Sequence, residues 1–185
     1  MDKFKFKKED YILYILNHLK PEKSDLWKLN KIAFLVEFCY IYFKDKDLSD
    51  AQYAAITHGT VLDNYETILK NMEKKKLIKL DGYNIRIITD KKIAVPENIS
   101  NFIDPKIAKY SEMTNGELKA ITHATDSYKI TTKNEKVMGG RIKKSLALLE
   151  TFFEEGTKEN DEISMGFNAD KLPIFDRTKL VQYEF

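Results

Sequence analysis

The sequence predicts an α+β fold: a mainly helical single domain around a central buried helix, with a small antiparallel β-hairpin. The first observation behind this is the stretch from Leu26 to Phe43. Leu29, Ile32, Val36, Cys39 and Phe43 fall on one side of its helical wheel, and Phe34, Leu35, Phe38, Ile41 and Tyr42 fall elsewhere. A helix that is apolar on every side belongs in the middle of a fold. The second is Asp81-Gly82, set between two short apolar segments; the pair suits a two-residue hairpin turn because glycine accepts positive φ at little cost. The third is size and balance: 185 residues, 43% hydrophobic and 32% charged, are enough for one domain to bury a core without disulfides or metals.

Taken in order, Tyr11 to Leu19 reads as a buried helix that stops at Lys20-Pro21, since the residue before proline is pushed out of helical geometry. Ser24 is placed to cap the central helix, Asp45 to Leu48 forms a polar connection, and Ser49 is placed to cap a short helix reaching towards His58. Gly59-Thr60 breaks that pattern. Leu62, Tyr65, Ile68, Leu69 and Met72 then recur at helical spacing as far as the lysine run Lys74, Lys75 and Lys76. In the hairpin, pairing Leu80 with Tyr83 and Ile78 with Ile85 gathers these four side chains on one face with Ile87. After Pro96, helices are expected near Ile99 to Tyr110 and from Thr114 to His123, the second opened by a capping box of Thr114 and Glu117. Beyond Gly139-Gly140, the stripe Ile142, Leu146, Leu149 and Phe153 predicts a last helix. Residues 1–155 are expected to form the domain and residues 156–185 an acidic linker with an apolar C-terminal tail, which either packs back on the domain or docks into a partner.

Composition narrows the function. Net charge is only +2, and nearly all the basic residues are lysine, with Arg86, Arg141 and Arg177 the arginines. Readers of DNA sequence lean on arginine for bidentate contacts, so no specific nucleic acid is expected. No apolar run approaches the ~20 residues needed to span a bilayer, and Met1 to Lys8 lacks the form of a signal peptide, so neither a membrane nor secretion is expected. Cys39 lies in an apolar helical run with no second cysteine to bridge to, as suits a reduced cytoplasmic protein.

His58 and His123 sit in similar strings, Ile56-Thr57-His58 and Ile121-Thr122-His123. Imidazole serves as base or ligand, but a metal site needs three or four convergent donors, and there is no cysteine pair, His-Glu-x-x-His or dense Asp cluster. Structural hydrogen bonding is therefore favoured over a hydrolase using either histidine, and no metal or cofactor is expected. Gly59 is read both as a position of unusual backbone angle and as part of a partner-facing turn. Gly139-Gly140 lacks the lysine and hydroxyl spacing of a phosphate loop. A helix from Val61 to Lys75, a lysine run and a hairpin also describe a winged-helix DNA-binding regulator, with Lys70, Lys74, Lys75, Lys76, Lys79 and Arg86 facing phosphates. Asp63, Glu66, Glu73 and Asp81 share that segment and weaken its field.

Three stretches, LNKIAFL from Leu29, QYAAITHGTV from Gln52 and GELKAITHATDSY from Gly116, set polar groups at fixed places within apolar patterns. In this order they resemble the Panacea antitoxin domain, the SocA-like or GepA-like family. Leu29, Lys31, Ile32, Ala33, Phe34 and Leu35 stand on a motif of the form Leu-x-Lys-Leu-Leu-Tyr-Phe. Tyr53 followed by Gly59, Thr60 and Val61 matches an aromatic before Gly-Pro-Val, with threonine for proline. Leu118, Thr122, His123 and Tyr128 match Leu-Ser-x-x-Thr-His and a later tryptophan, with Lys119 for serine and tyrosine for tryptophan. The resemblance implies an antitoxin of a type II toxin–antitoxin system rather than an enzyme. Such a protein neutralises a cognate toxin, encoded by the adjacent gene, through stoichiometric binding, and some relatives serve as protease adaptors. It implies partner-binding roles for Tyr53, His58, Gly59, Thr122, His123 and Tyr128. Some members of the family carry an added helix-turn-helix domain, for which this chain has no spare length, so autorepression is not expected.

Overall fold

The computed structural model describes residues 4–155. Its elements are α1 (Lys8–His18), a 3-10 turn (Pro21–Lys23), α2 (Leu26–Lys44), β1 (Tyr53–Ile56), β2 (Gly59–Leu62), α3 (Tyr65–Lys74), β3 (Ile78–Asp81), β4 (Asn84–Ile87), α4 (Glu97–Glu112), α5 (Asn115–Ala124), α6 (Asp126–Thr132), β5 (Arg141–Ile142), a 3-10 segment (Lys144–Leu149) and α7 (Phe152–Glu155). The fold is α+β and mainly helical, as expected. The tail named above lies outside the described residues.

The α2 helix is the axis. Leu29, Ile32, Phe34, Leu35, Val36 and Phe38 are fully buried on all its sides, and it packs against α1, α4, α5, β2 and the 3-10 segment. Two phenols anchor neighbours to it: Tyr11 Oη from α1 and Tyr53 Oη from β1 both donate to the Ala33 carbonyl, at 2.9 and 3.0 Å. Glu37 is buried within α2 and accepts from Leu48 N, Ser49 N and Ser49 Oγ, and from Lys144 Nζ at 2.7 Å. Burial raises its pKa, and Lys144 and Ser49 pull the other way. A buried carboxylate is tolerated when paired and hydrogen-bonded in this manner.

Several sequence expectations are corrected. Asp25, not Ser24, caps α2, its carboxylate accepting from Lys28 N; the Ser24 carbonyl instead accepts from Ile85 N. The short helix expected after Ser49 is a hairpin, β1 and β2, turning at Thr57-His58 with Ile56 opposite Gly59 and Tyr53 opposite Leu62. Alternation decides it, since Tyr53 and Ala55 are buried while Ala54 and Ile56 are only half-buried. Ser49 gives its hydroxyl to Glu37 rather than to a helix end. β5 joins the other edge of β1, making a three-stranded sheet in the order β2-β1-β5.

The β3-β4 hairpin is present, with Leu80 opposite Ile85 and Ile78 opposite Ile87, so the turn is Gly82-Tyr83 rather than Asp81-Gly82. A glycine with φ +58 at the first central position suits the type II′ turn. A two-residue slip preserves the faces, so Ile78, Leu80, Ile85 and Ile87 still share one and only Tyr83 leaves it, 65% exposed. The capping box of Thr114 and Glu117 opens α5 as expected.

The last predicted helix is the largest error. Ile142 is in β5, opposite Tyr53, and Leu146 and Leu149 belong to the 3-10 segment, where Leu149 is 59% exposed. The α6 helix had no sequence signal, because its cap comes from far along the chain. The buried Glu150 carboxylate accepts from Asp126 N and Ser127 N, and Asp126 in turn accepts from Thr151 N and Oγ1.

Candidate functional site

The three motif stretches fold to one place. Gly59 opens β2 with φ +98, and a methyl group added there would lie 2.5 Å from Thr122 Oγ1, 3.5 Å from His123 Cδ2 and 3.6 Å from Lys31 Cε. Residues of all three motifs thus close on the same point: Lys31 from α2, Gly59 at the start of β2, and Thr122 and His123 from α5. The structural reading of Gly59 holds on two counts: a backbone angle that L side chains rarely adopt, and a close approach that no side chain would permit.

Around this point the side chains divide into supports and exposed groups. Tyr53, Thr122 and Tyr128 are fully buried. Tyr128 Oη donates to the Ile56 carbonyl at 2.8 Å, tying α6 to the end of β1, and Thr122 Oγ1 donates to the Lys119 carbonyl. The His123 ring stacks on Tyr128 with centroids 4.4 Å apart and pairs through Nδ1 with Glu135 Oε1 at 2.6 Å. His58 is at the exposed tip of the β1-β2 turn, edge-on to Trp27 at 5.0 Å. Among the described residues no hydrogen bond or ring contact joins His58 to His123, so the two similar strings do not build a catalytic pair.

Lys31, a residue of the first motif, and Trp27, which the sequence did not single out, complete the cluster. Lys31 is 1% exposed, and its Nζ has no hydrogen-bond partner among the described residues; it lies over the Trp27 ring, 5.2 Å from the centroid. Burial holds its ammonium down to about 8, with Lys119 adding to the effect and Asp25 opposing it. His123 Nε2 and Thr60 Oγ1 are likewise buried without partners. The available signal was the spacing of Trp27 and Lys31, four apart and therefore on one face of a helix.

Trp27 also meets Tyr83, so an aromatic row of Tyr83, Trp27 and His58 crosses from the β3-β4 hairpin to the β1-β2 turn. Beside it lies a groove of about 330 Å³ lined by Leu26, Tyr65, Leu69, Leu80 and Ile85. Among the described residues no group of three or more His, Cys, Asp or Glu side chains is placed to hold a metal ion, and no helix is long and apolar enough to cross a membrane.

A family model described as "Antitoxin SocA-like, Panacea domain" matches residues 29–129, more than half of the chain and all three motif stretches. The chain belongs to the SocA-like Panacea family. No curated protein and no solved structure matches it. The match begins at Leu29, the start of the first motif, and ends just past Tyr128. Lys31, Gly59, Thr122 and His123, which meet beside Gly59, all lie within the matched span. Its family is named for antitoxins and not for a catalytic activity.

Proposed function

We propose that this Panacea domain is the antitoxin of a type II toxin–antitoxin system and neutralises a cognate protein toxin, encoded by the adjacent gene, by direct stoichiometric binding. The observation that carries the reading is the convergence of the three motifs beneath an aromatic row that is open to solvent. Tyr53, Thr122 and Tyr128 are buried supports, Gly59 permits the close approach, half-buried His123 stacks on Tyr128, and His58, Trp27 and Tyr83 provide the outward face. Tryptophan and tyrosine over a groove are the composition in which interface energy concentrates. Residues 1–155 carry the activity, with residues 156–185 as an appended segment.

Co-expression tests it. The product of the adjacent gene should arrest growth alone and be harmless beside the wild-type chain. His58→Ala, an exposed change, should lower protection at least about tenfold with an unchanged melting temperature. A harmless neighbour, or an arrest that the wild-type chain does not relieve, would sink the assignment. A toxin half-life that shortens on co-expression would place the mechanism with protease adaptors rather than with occlusion alone.

A further inference from the structure

Lys31 and His123 each present a buried nitrogen with no hydrogen-bond partner among the described residues. Lys31 Cε and His123 Cδ2, each one bond from its terminal nitrogen, lie 3.6 and 3.5 Å from one point beside Gly59. The Lys31 ammonium has the face of Trp27 and the nearby charge of Asp25, but no hydrogen-bonded counter-ion. The surrounding charges do not resolve this: Asp25 is engaged as the α2 cap, Glu135 is on the other imidazole nitrogen, and Lys119 adds positive charge.

We infer that Lys31 and His123 form a binding site for a carboxylate, covered by Trp27, and that the occupant is an acidic group presented by the partner toxin. The second half rests on the antitoxin reading above. The Lys31 ammonium is a charge-assisted donor to an oxyanion, and an imidazole Nε2 that carries a proton donates to one as well. A carboxylate there gives Lys31 a counter-charge and completes the hydrogen bonding of His123, whose Nδ1 side already faces Glu135. A protein partner offers its anion as the carboxylate of an Asp, a Glu or a C-terminus, to be met at the Lys31 and His123 nitrogens and not at the filled point beside Gly59. Trp27 is half-buried with Tyr83 and His58 at its edges, so rotating it outward opens the lysine to the same face that carries the aromatic row.

Trp27 is the chain's single tryptophan, so its emission reports the site directly. Sodium acetate, titrated against sodium chloride at constant ionic strength, should change that emission saturably in the wild type. The apparent affinity should fall at least about tenfold in Lys31→Met, which keeps the buried stem, and in His123→Gln, the second variant should the first fold poorly. Inorganic phosphate should bind more weakly than acetate. No saturable acetate response, an equal response in both variants, or tighter phosphate binding would overturn the carboxylate site. No toxin enters these titrations, so they stand apart from the antitoxin reading. In co-expression, Lys31→Met should lose protection, and full protection by a folded Lys31→Met would overturn the claim that the toxin supplies the carboxylate.

Discussion

Gly59 shows how much one residue carries. Gly59→Ala introduces strain at φ +98 and a contact of 2.5 Å with Thr122 Oγ1, and it should lower stability by about 2 to 4 kcal/mol in chemical denaturation. Adding Thr122→Ala should recover the steric part and leave the backbone part; a single variant as stable as the wild type would mean that the β1-β2 turn sits elsewhere. The glycine and its motif neighbours were legible in the sequence, but the partnerless amine was not, because neither the motif nor the spacing from Trp27 says that the Lys31 ammonium is buried. Its burial supplies a second prediction. With the folded amine at about 8 and the unfolded one at its ordinary 10.5, the unfolded chain holds the extra proton between those values, so this residue's contribution to stability rises with pH across that window. Lys31→Met should therefore be the more stable protein at pH 7, by about 3 kcal/mol, with the gap closing towards pH 10. Cys39, whose thiol burial pushes up to about 12, is common to both proteins and drops out of the comparison. A gap that stays constant with pH would show that Lys31 is solvated.

Elements were legible where a pattern was strong and local. The α2 helix is unmistakable because it is apolar on every side, and α5 because its capping box is spelled out within four residues. The β1-β2 hairpin was lost because Ala54 and Ala55 speak as readily for helix as for strand, and the deciding alternation is only four residues long. The stripe Ile142, Leu146, Leu149 and Phe153 has helical spacing, yet β5 claims its first member through pairing with Tyr53, a partner far away in sequence. The 3-10 segment after β5 is held by equally distant contacts, above all Lys144 Nζ, which donates to Glu37 Oε1 and to the Ser49 carbonyl, both at 2.7 Å. Lys144→Met leaves the buried Glu37 without its counter-charge and should destabilise the domain by about 3 to 5 kcal/mol. The double variant with Glu37→Gln should recover part of that loss, since no buried charge remains. Equal midpoints for wild type and Lys144→Met would detach this segment from α2.

At the scale of the whole molecule, the winged-helix alternative turns on how the β3-β4 hairpin is held. Helix and hairpin do adjoin, with Leu77 N donating to the Met72 carbonyl and Glu73 accepting from Leu80 N. A wing must reach outward to phosphates, however, and this hairpin is bonded to the start of α2: Leu26 N donates to the Tyr83 carbonyl and Ile85 N to the Ser24 carbonyl. The lysines of the segment are tempered too, since Lys75 bonds both oxygens of Glu9 and Lys70 lies 3.9 Å from Glu66. With a net charge of +2 over the chain, the long-range field offers little to a polyanion. Changing Lys74, Lys75 and Lys76 together to Glu should therefore leave toxin neutralisation intact, because these residues are not part of the aromatic row of Tyr83, Trp27 and His58. In gel-shift titrations at about 0.15 M salt, the wild type should show weak, sequence-indifferent DNA binding at most, and the triple variant none. Sub-micromolar, sequence-selective binding that the triple variant abolishes would make this surface a DNA reader, and the domain more than an antitoxin.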